Sequence, residues 1–157
     1  MKIPQEQQIV DGIADWLREI TWKNGYYTNA GHLVFTDEGD VPDEPTSDTV
    51  LVLDQGSRSQ QSGSARPNGK WILTLLIEAL VVIAPIDGAS TGRTRARQLV
   101  ADIRDALKKG RTTALLPAGA TALFEVRREI PRRDPGANLM VAAVALEIHY
   151  SDIYSEG

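Results

Sequence analysis

The sequence predicts an α+β fold: a mostly antiparallel or mixed β-sheet flanked by two main helices on one side, with long loops and a C-terminal β-hairpin. Three observations predict it. Apolar residues recur at helical spacing in two separate segments, near residues 5–20 and 90–109. A run from Trp71 to Ala84 is apolar on both faces and rich in β-branched residues. Finally, Met140, Ala142, Val144, Leu146, Ile148 and Tyr150 alternate with Val141, Ala143, Ala145, Glu147 and His149, a period of two sustained over a long strand.

The first element is an amphipathic helix over Gln5–Ile20, with Ile9, Ile13, Trp16, Leu17 and Ile20 on one stripe. Pro4 suits its start, where a missing backbone N–H costs nothing, and Asn24-Gly25 supplies a turn to stop it. Leu33, Val34 and Phe35 form a short strand. Residues 36–49 then read as a long acidic loop: Asp37, Glu38, Asp40, Asp43, Glu44 and Asp48 occur without a basic residue, and Pro42 and Pro45 break any regular structure.

Val50–Leu53 reads as a buried strand closed by Asp54-Gln55-Gly56. Residues 56–70, GSRSQQSGSARPNGK, form a low-complexity insertion charged only at Arg58, Arg66 and Lys70, which makes it a candidate docking arm. Trp71–Ala84 is a strand opened by Asn68-Gly69 and ended by Pro85. Glu78 in its middle should face an edge, a cavity or a neighbouring subunit, because an unpaired buried carboxylate costs several kcal/mol.

Ser90 or Thr91 caps the second helix, which buries Leu99, Val100, Ile103 and Leu107 and runs to Lys109 with Gly110 just past its end. Lys108 and Lys109 suit the negative end of its dipole, whereas Arg93, Arg95 and Arg97 crowd the positive end against that preference. After a Pro117-Ala118-Gly119 turn, Ala122–Ile130 pairs with the alternating strand. The hairpin tip, residues 131–138, carries Arg132 and Arg133.

Length and composition bound the function. At 157 residues, 42% apolar and 24% charged, the chain suits one soluble domain, residues 1–157, with no internal repeat. No apolar run reaches the roughly 20 residues of a membrane span. The first residues lack an apolar signal segment, so a cytoplasmic chain is expected. With zero cysteines there is neither a disulfide nor a thiolate metal site.

Reactive constellations are weak. His32 and His149 are far apart and match no metal spacing, and no metal or other cofactor is expected. Gly88–Gly92 precedes a helix but lacks the phosphate-loop lysine. The acidic DEGDVPDE does not match a calcium loop and reads as solvated or as a dock for a basic partner. The arginine-rich segment reads as a solvated face or a protein interface. A nucleic-acid site fits less well, because the chain is acidic overall, at −4, with few aromatics near these arginines. Glu78, Glu147 and His149 are the only faint candidates for a small-ligand or enzymatic site.

The order of features, WLREITWKNGYYTNAG closing a helix, then VLVLDQG, WILTLLIEALVVIA, TRARQLVADIRDALKKG and LMVAAVALEIHYSDIY, resembles tail terminator proteins of long-tailed bacteriophages, also called tail completion or minor tail proteins. The resemblance covers nearly the whole chain and lies in element order and texture. It implies a non-enzymatic virion protein that forms a ring, usually hexameric, at the head-proximal end of the tail tube after assembly in the host cytoplasm. Its implied partners are copies of itself, the tail tube protein and the neck or stopper (head completion) protein, with genomic DNA able to pass through the ring and no specific nucleic-acid recognition. Another neck or head–tail connector protein is the alternative. Independently of the family, a ring needs two different faces that fit. The acidic set Asp37, Glu38, Asp40, Asp43 and Glu44 against Arg93, Arg95 and Arg97, or against Arg132 and Arg133, supplies the expected pair.

Overall fold

The computed structural model describes residues 3–60, 69–83, 89–113, 116–133 and 138–152. Helices α1 (Gln5–Leu17) and α2 (Ala89–Thr113) accompany strands β1 (Val34–Phe35), β2 (Thr49–Ser59), β3 (Lys70–Val82), β4 (Ala120–Arg133) and β5 (Leu139–Ser151). The strands form one sheet in the order β1-β2-β3-β5-β4. Only the β1–β2 pair is parallel, so the sheet is mixed, as the sequence predicts.

Strand alternation decides which face the helices cover. Leu73, Leu75, Ile77, Ala79 and Val81 of β3 and Met140, Ala142, Val144, Leu146, Ile148 and Tyr150 of β5 are all buried. They pack with Ile9, Ile13 and Leu17 of α1 and Ala96, Leu99, Ile103 and Leu107 of α2 in one core on one side of the sheet. The other face carries Ile72, Thr74, Leu76, Glu78 and Leu80 of β3, which are half-buried.

Several boundaries differ from the sequence expectation. Helix α1 stops at Leu17, not Ile20, as Glu19 N–H and Ile20 N–H close tighter turns onto Trp16 O and Leu17 O. Asn24-Gly25 instead ends a separate 3₁₀ turn, Trp22–Asn24. Strand β2 does not end at Asp54-Gln55-Gly56. The register slips between Asp54 and Ser57, and Gly56 takes φ +94° there, a conformation that suits glycine in a bulge. The strand then continues to Ser59, so 56–59 of the expected insertion belong to β2 and Lys70 opens β3; residues 61–68, including Arg66, lie outside those described.

Helix α2 begins at Ala89, so Ser90 and Thr91 sit inside it, and it runs past Gly110 to Thr113. Gly110 does not end the helix because it serves as a contact. A Cβ there would lie 2.1 Å from the Trp16 ring, so the missing side chain is what lets α1 and α2 approach. The Pro117-Ala118-Gly119 turn holds, with Ala120 N–H bonded to Pro117 O at 2.9 Å. Strand β4 extends to Arg133, which puts Arg132 and Arg133 on the strand end and leaves residues 134–137 outside the description. Three register breaks interrupt its pairing with β5, at Ala120/Ala122, Glu125/Arg127 and Glu129/Arg132. Gln5, 2% exposed, ties α1 to this end of the sheet by donating from Nε2 to Ala118 O (2.7 Å) and Ser151 O (2.8 Å). Among the described residues no helix is long and apolar enough to cross a membrane.

Candidate functional site

The acidic loop leaves β1 and returns to β2, so it lies on the β1 side of the sheet. Asp37 Oδ1 accepts from Gly39 N–H at 2.8 Å and starts a 3₁₀ turn over Glu38–Asp40. Asp37, Glu38, Asp40, Asp43 and Glu44 are all exposed. None of them is in an ion pair among the described residues. Asp48 differs: Arg95 Nη2 donates to it at 3.0 Å, and Val82 N–H at 3.2 Å.

That bond changes the reading of the basic candidates. Arg95 also donates from Nη1 to Val82 O at 2.6 Å, so it cements α2 to the end of β3 and to the loop within one chain. Arg93 and Arg97 are exposed on α2. Arg132 and Arg133 are exposed on β4, the opposite edge strand from β1, with no ion pair among the described residues. Arg127 pairs with Glu129 and Arg128 with Glu125, while Arg104 reaches Glu125 from α2 at 2.9 Å.

Two of the docking-arm residues, Arg58 and Lys70, lie at the same end of the neighbouring strands β2 and β3, and Arg66 is outside the described residues. Arg58 is a strand residue paired with Glu147 at 3.1 Å, and Lys70 opens β3. Glu147 and His149 share the sheet face away from the helices; His149 Nδ1 lies 2.9 Å from Gln60 Nε2 and its ring meets Phe124 edge-on at 5.2 Å. Glu78 is opposite Ala143, four positions from Glu147 along β5, which is roughly 13 Å at strand rise. The faint ligand-site candidates therefore do not converge. His32 is exposed on a 3₁₀ turn.

Sequence reasoning missed a groove of about 600 Å³ on the β1 side, lined by Trp22, Tyr27, His32, Asp48, Val82 and Arg95 among others. Trp22 and Tyr27 are 67% and 65% exposed, unusual for large aromatic side chains. Their loop is nevertheless held firmly. Asp102 of α2, 2% exposed, accepts from Tyr27 N–H (3.0 Å), Thr28 N–H (2.9 Å) and Thr28 Oγ1 (2.9 Å). Trp22 N–H donates to Asn29 Oδ1 at 2.7 Å, and Trp22 Nε1 to Tyr27 O at 3.0 Å.

The perturbed titrations belong to packing. Burial pushes the Asp102 carboxyl up, against the pull of its hydrogen bonds from Tyr27 and Thr28. Burial also raises Tyr150 to about 12; its hydroxyl donates to Glu6 Oε1 at 2.7 Å and lies 3.0 Å from Ser57 Oγ. Tyr26 is raised chiefly by burial, with Lys109 Nζ 4.5 Å above its ring. No group of three or more metal-binding side chains gathers among the described residues.

No protein-family model matches the chain, and no curated protein matches it. Among solved structures it is similar to the sheath/tube terminator of an extracellular contractile injection system, PVC, in the extended state, with a TM-score of 0.42 and 12% identity over all of this chain. The chain spans 61% of that protein's length.

Proposed function

We propose that this chain is a non-enzymatic, tail-terminator-like structural protein. It assembles with copies of itself into a ring at the head-proximal end of a tail tube, stops tube growth and offers the surface on which the head or neck is joined. One observation carries the reading: an exposed acidic loop on the β1 side of the sheet and exposed arginines on β4 stand at opposite edges of one scaffold. Two unlike, complementary sides are what a heterologous contact requires, and such contacts close into rings when the rotation per subunit allows. The ordering of sequence features that resembles phage tail terminators supports the same assignment.

Arg95 is committed within its own chain, while Arg132 and Arg133 remain available on the edge. Replacing both with Glu should weaken self-association most at low salt, where exposed charges are least screened. Electron microscopy of particles assembled with and without the chain tests the role itself. Overlong or headless tails are expected in its absence, and tails of normal length joined to heads without it would refute the proposal.

A further inference from the structure

The sheet register sets the two edges in a common row. Val34 of β1 pairs with Val50, Val50 with Ala79 and Ala79 with Ala142. On β4, the break between Glu129 and Arg132 falls opposite Ala142 and contains Ile130 and Pro131. Ile130 is 82% exposed, the most exposed large apolar side chain among the described residues. Arg132 follows it at the level of Val141, and Arg133 at the level of Met140. The groove on the far edge is lined by Leu33, Asp48 and Val82, which lie one, two and three strand positions from that row. The groove is therefore one to three residues of strand rise, about 3.4 Å each, from the level of Ile130, and it overlaps the levels of Arg132 and Arg133.

We propose that a second copy of this chain docks here: Ile130 of one copy seats between Trp22 and Tyr27 of the next, and Arg132 and Arg133 face the acidic loop. The inference rests on the ring reading and supplies its contact. Charge identifies the occupant. The groove adjoins a loop in which Asp37, Glu38, Asp40, Asp43 and Glu44 carry no ion pair among the described residues, so it favours a cationic visitor with an apolar point, and β4 displays both on the opposite edge at overlapping height. Aromatic rings accept an aliphatic side chain and stack guanidinium groups, and they dominate interface energetics when held in place beforehand. The Asp102 bonds and the Trp22–Asn29 and Trp22–Tyr27 bonds hold them so, which removes much of the ordering cost of binding.

The chain has no cysteine, so engineered disulfides report the contact without background. In the double variant Trp22→Cys with Ile130→Cys, mild oxidation should give a ladder of covalent multimers. An equal mixture of the two single variants should give dimers, and either single variant alone should give none. Trp22→Ala or Ile130→Ser should weaken association roughly 30-fold by native mass measurement, the loss expected of one interface anchor, with melting curves showing intact folds. Association of Ile130→Ser equal to the unmodified chain, together with no ladder, would overturn this contact while leaving a ring by other surfaces. A chain that stays monomeric both in solution and on assembled tails would overturn the contact and the ring reading together.

Discussion

Replacing Asp102 by Ala removes the acceptor that, among the described residues, serves the Thr28 hydroxyl and the Tyr27 and Thr28 amides. A buried donor left without a partner costs about 1–3 kcal/mol. The Thr28 contacts are buried while the Tyr27 amide is partly so, and the hydroxyl can rotate. Two donors at mid-range cost about 4 kcal/mol, from which roughly 1 kcal/mol is recovered because Ala no longer buries a carboxylate. The net loss of about 3 kcal/mol lowers the melting temperature by roughly 6–12 °C in a chain of this size. Asp102→Asn should fall between, since its amide oxygen still accepts but its NH₂ faces a donor. Calorimetry or urea unfolding gives the stability, and amide exchange at Tyr27 and Thr28 gives the local effect, which should exceed the change elsewhere in α2. A melting temperature within about 2 °C of the unmodified protein, with unchanged exchange at those amides, would refute the claim that this carboxylate holds the aromatic loop.

Gly110→Ala should destabilise by about 1–3 kcal/mol, because a Cβ 2.1 Å from the Trp16 ring must push α1 and α2 apart despite alanine's better helix propensity; thermal melts with and without Trp16→Leu check this, and Leu should recover most of the loss. Tyr150 titrates near 12 when folded against an ordinary 10.0, so the folded state holds its proton longer. Its contribution is complete below pH 10 and disappears as pH rises through the folded value, on the order of 2–3 kcal/mol. Urea titrations from pH 9 to 12 should therefore fall more steeply for the unmodified chain than for Tyr150→Phe. Arg95→Ala should cost about 1 kcal/mol by severing the Val82 and Asp48 bonds, discounted for the exposure of the guanidinium, whereas Arg97→Ala should stay within about 0.5 kcal/mol; equal effects in urea unfolding would contradict the assigned difference.

Long-period signals were legible in the sequence and local exceptions were not. The alternation from Met140 to Tyr150 and the two-sided apolar run of β3 gave the sheet centre, because burial of a strand face leaves a period of two. The sequence alone places the end of β2 at Gly56, because glycine reads equally as a strand end or a bulge until a partner strand is present. Gly110 misled in the same way, since a glycine at a helix end and a glycine under a crossing tryptophan look alike in one dimension. Asp102 carried a readable sign that charge counting hid: it sits three residues after Leu99 and four before Ala106, on the stripe that α2 buries. A carboxylate on that stripe must be partnered. Trp22 and Tyr27 gave no such sign, because their exposure follows from a loop path set by contacts distant in sequence. Arg95, Arg132 and Arg133 looked equivalent as charges and separate only once Asp48 and Val82 are placed beside the first.

The interruptions in β4 decide how such a molecule can stick to anything. A flat border of 14 residues would invite any passing backbone to zip onto it, and fibres grow that way. By breaking its rhythm at Ala120/Ala122, Glu125/Arg127 and Glu129/Arg132, the chain denies strangers that template and leaves attachment to a few protruding side chains. Any contact on this edge then depends on matching side chains and not on backbone pairing alone.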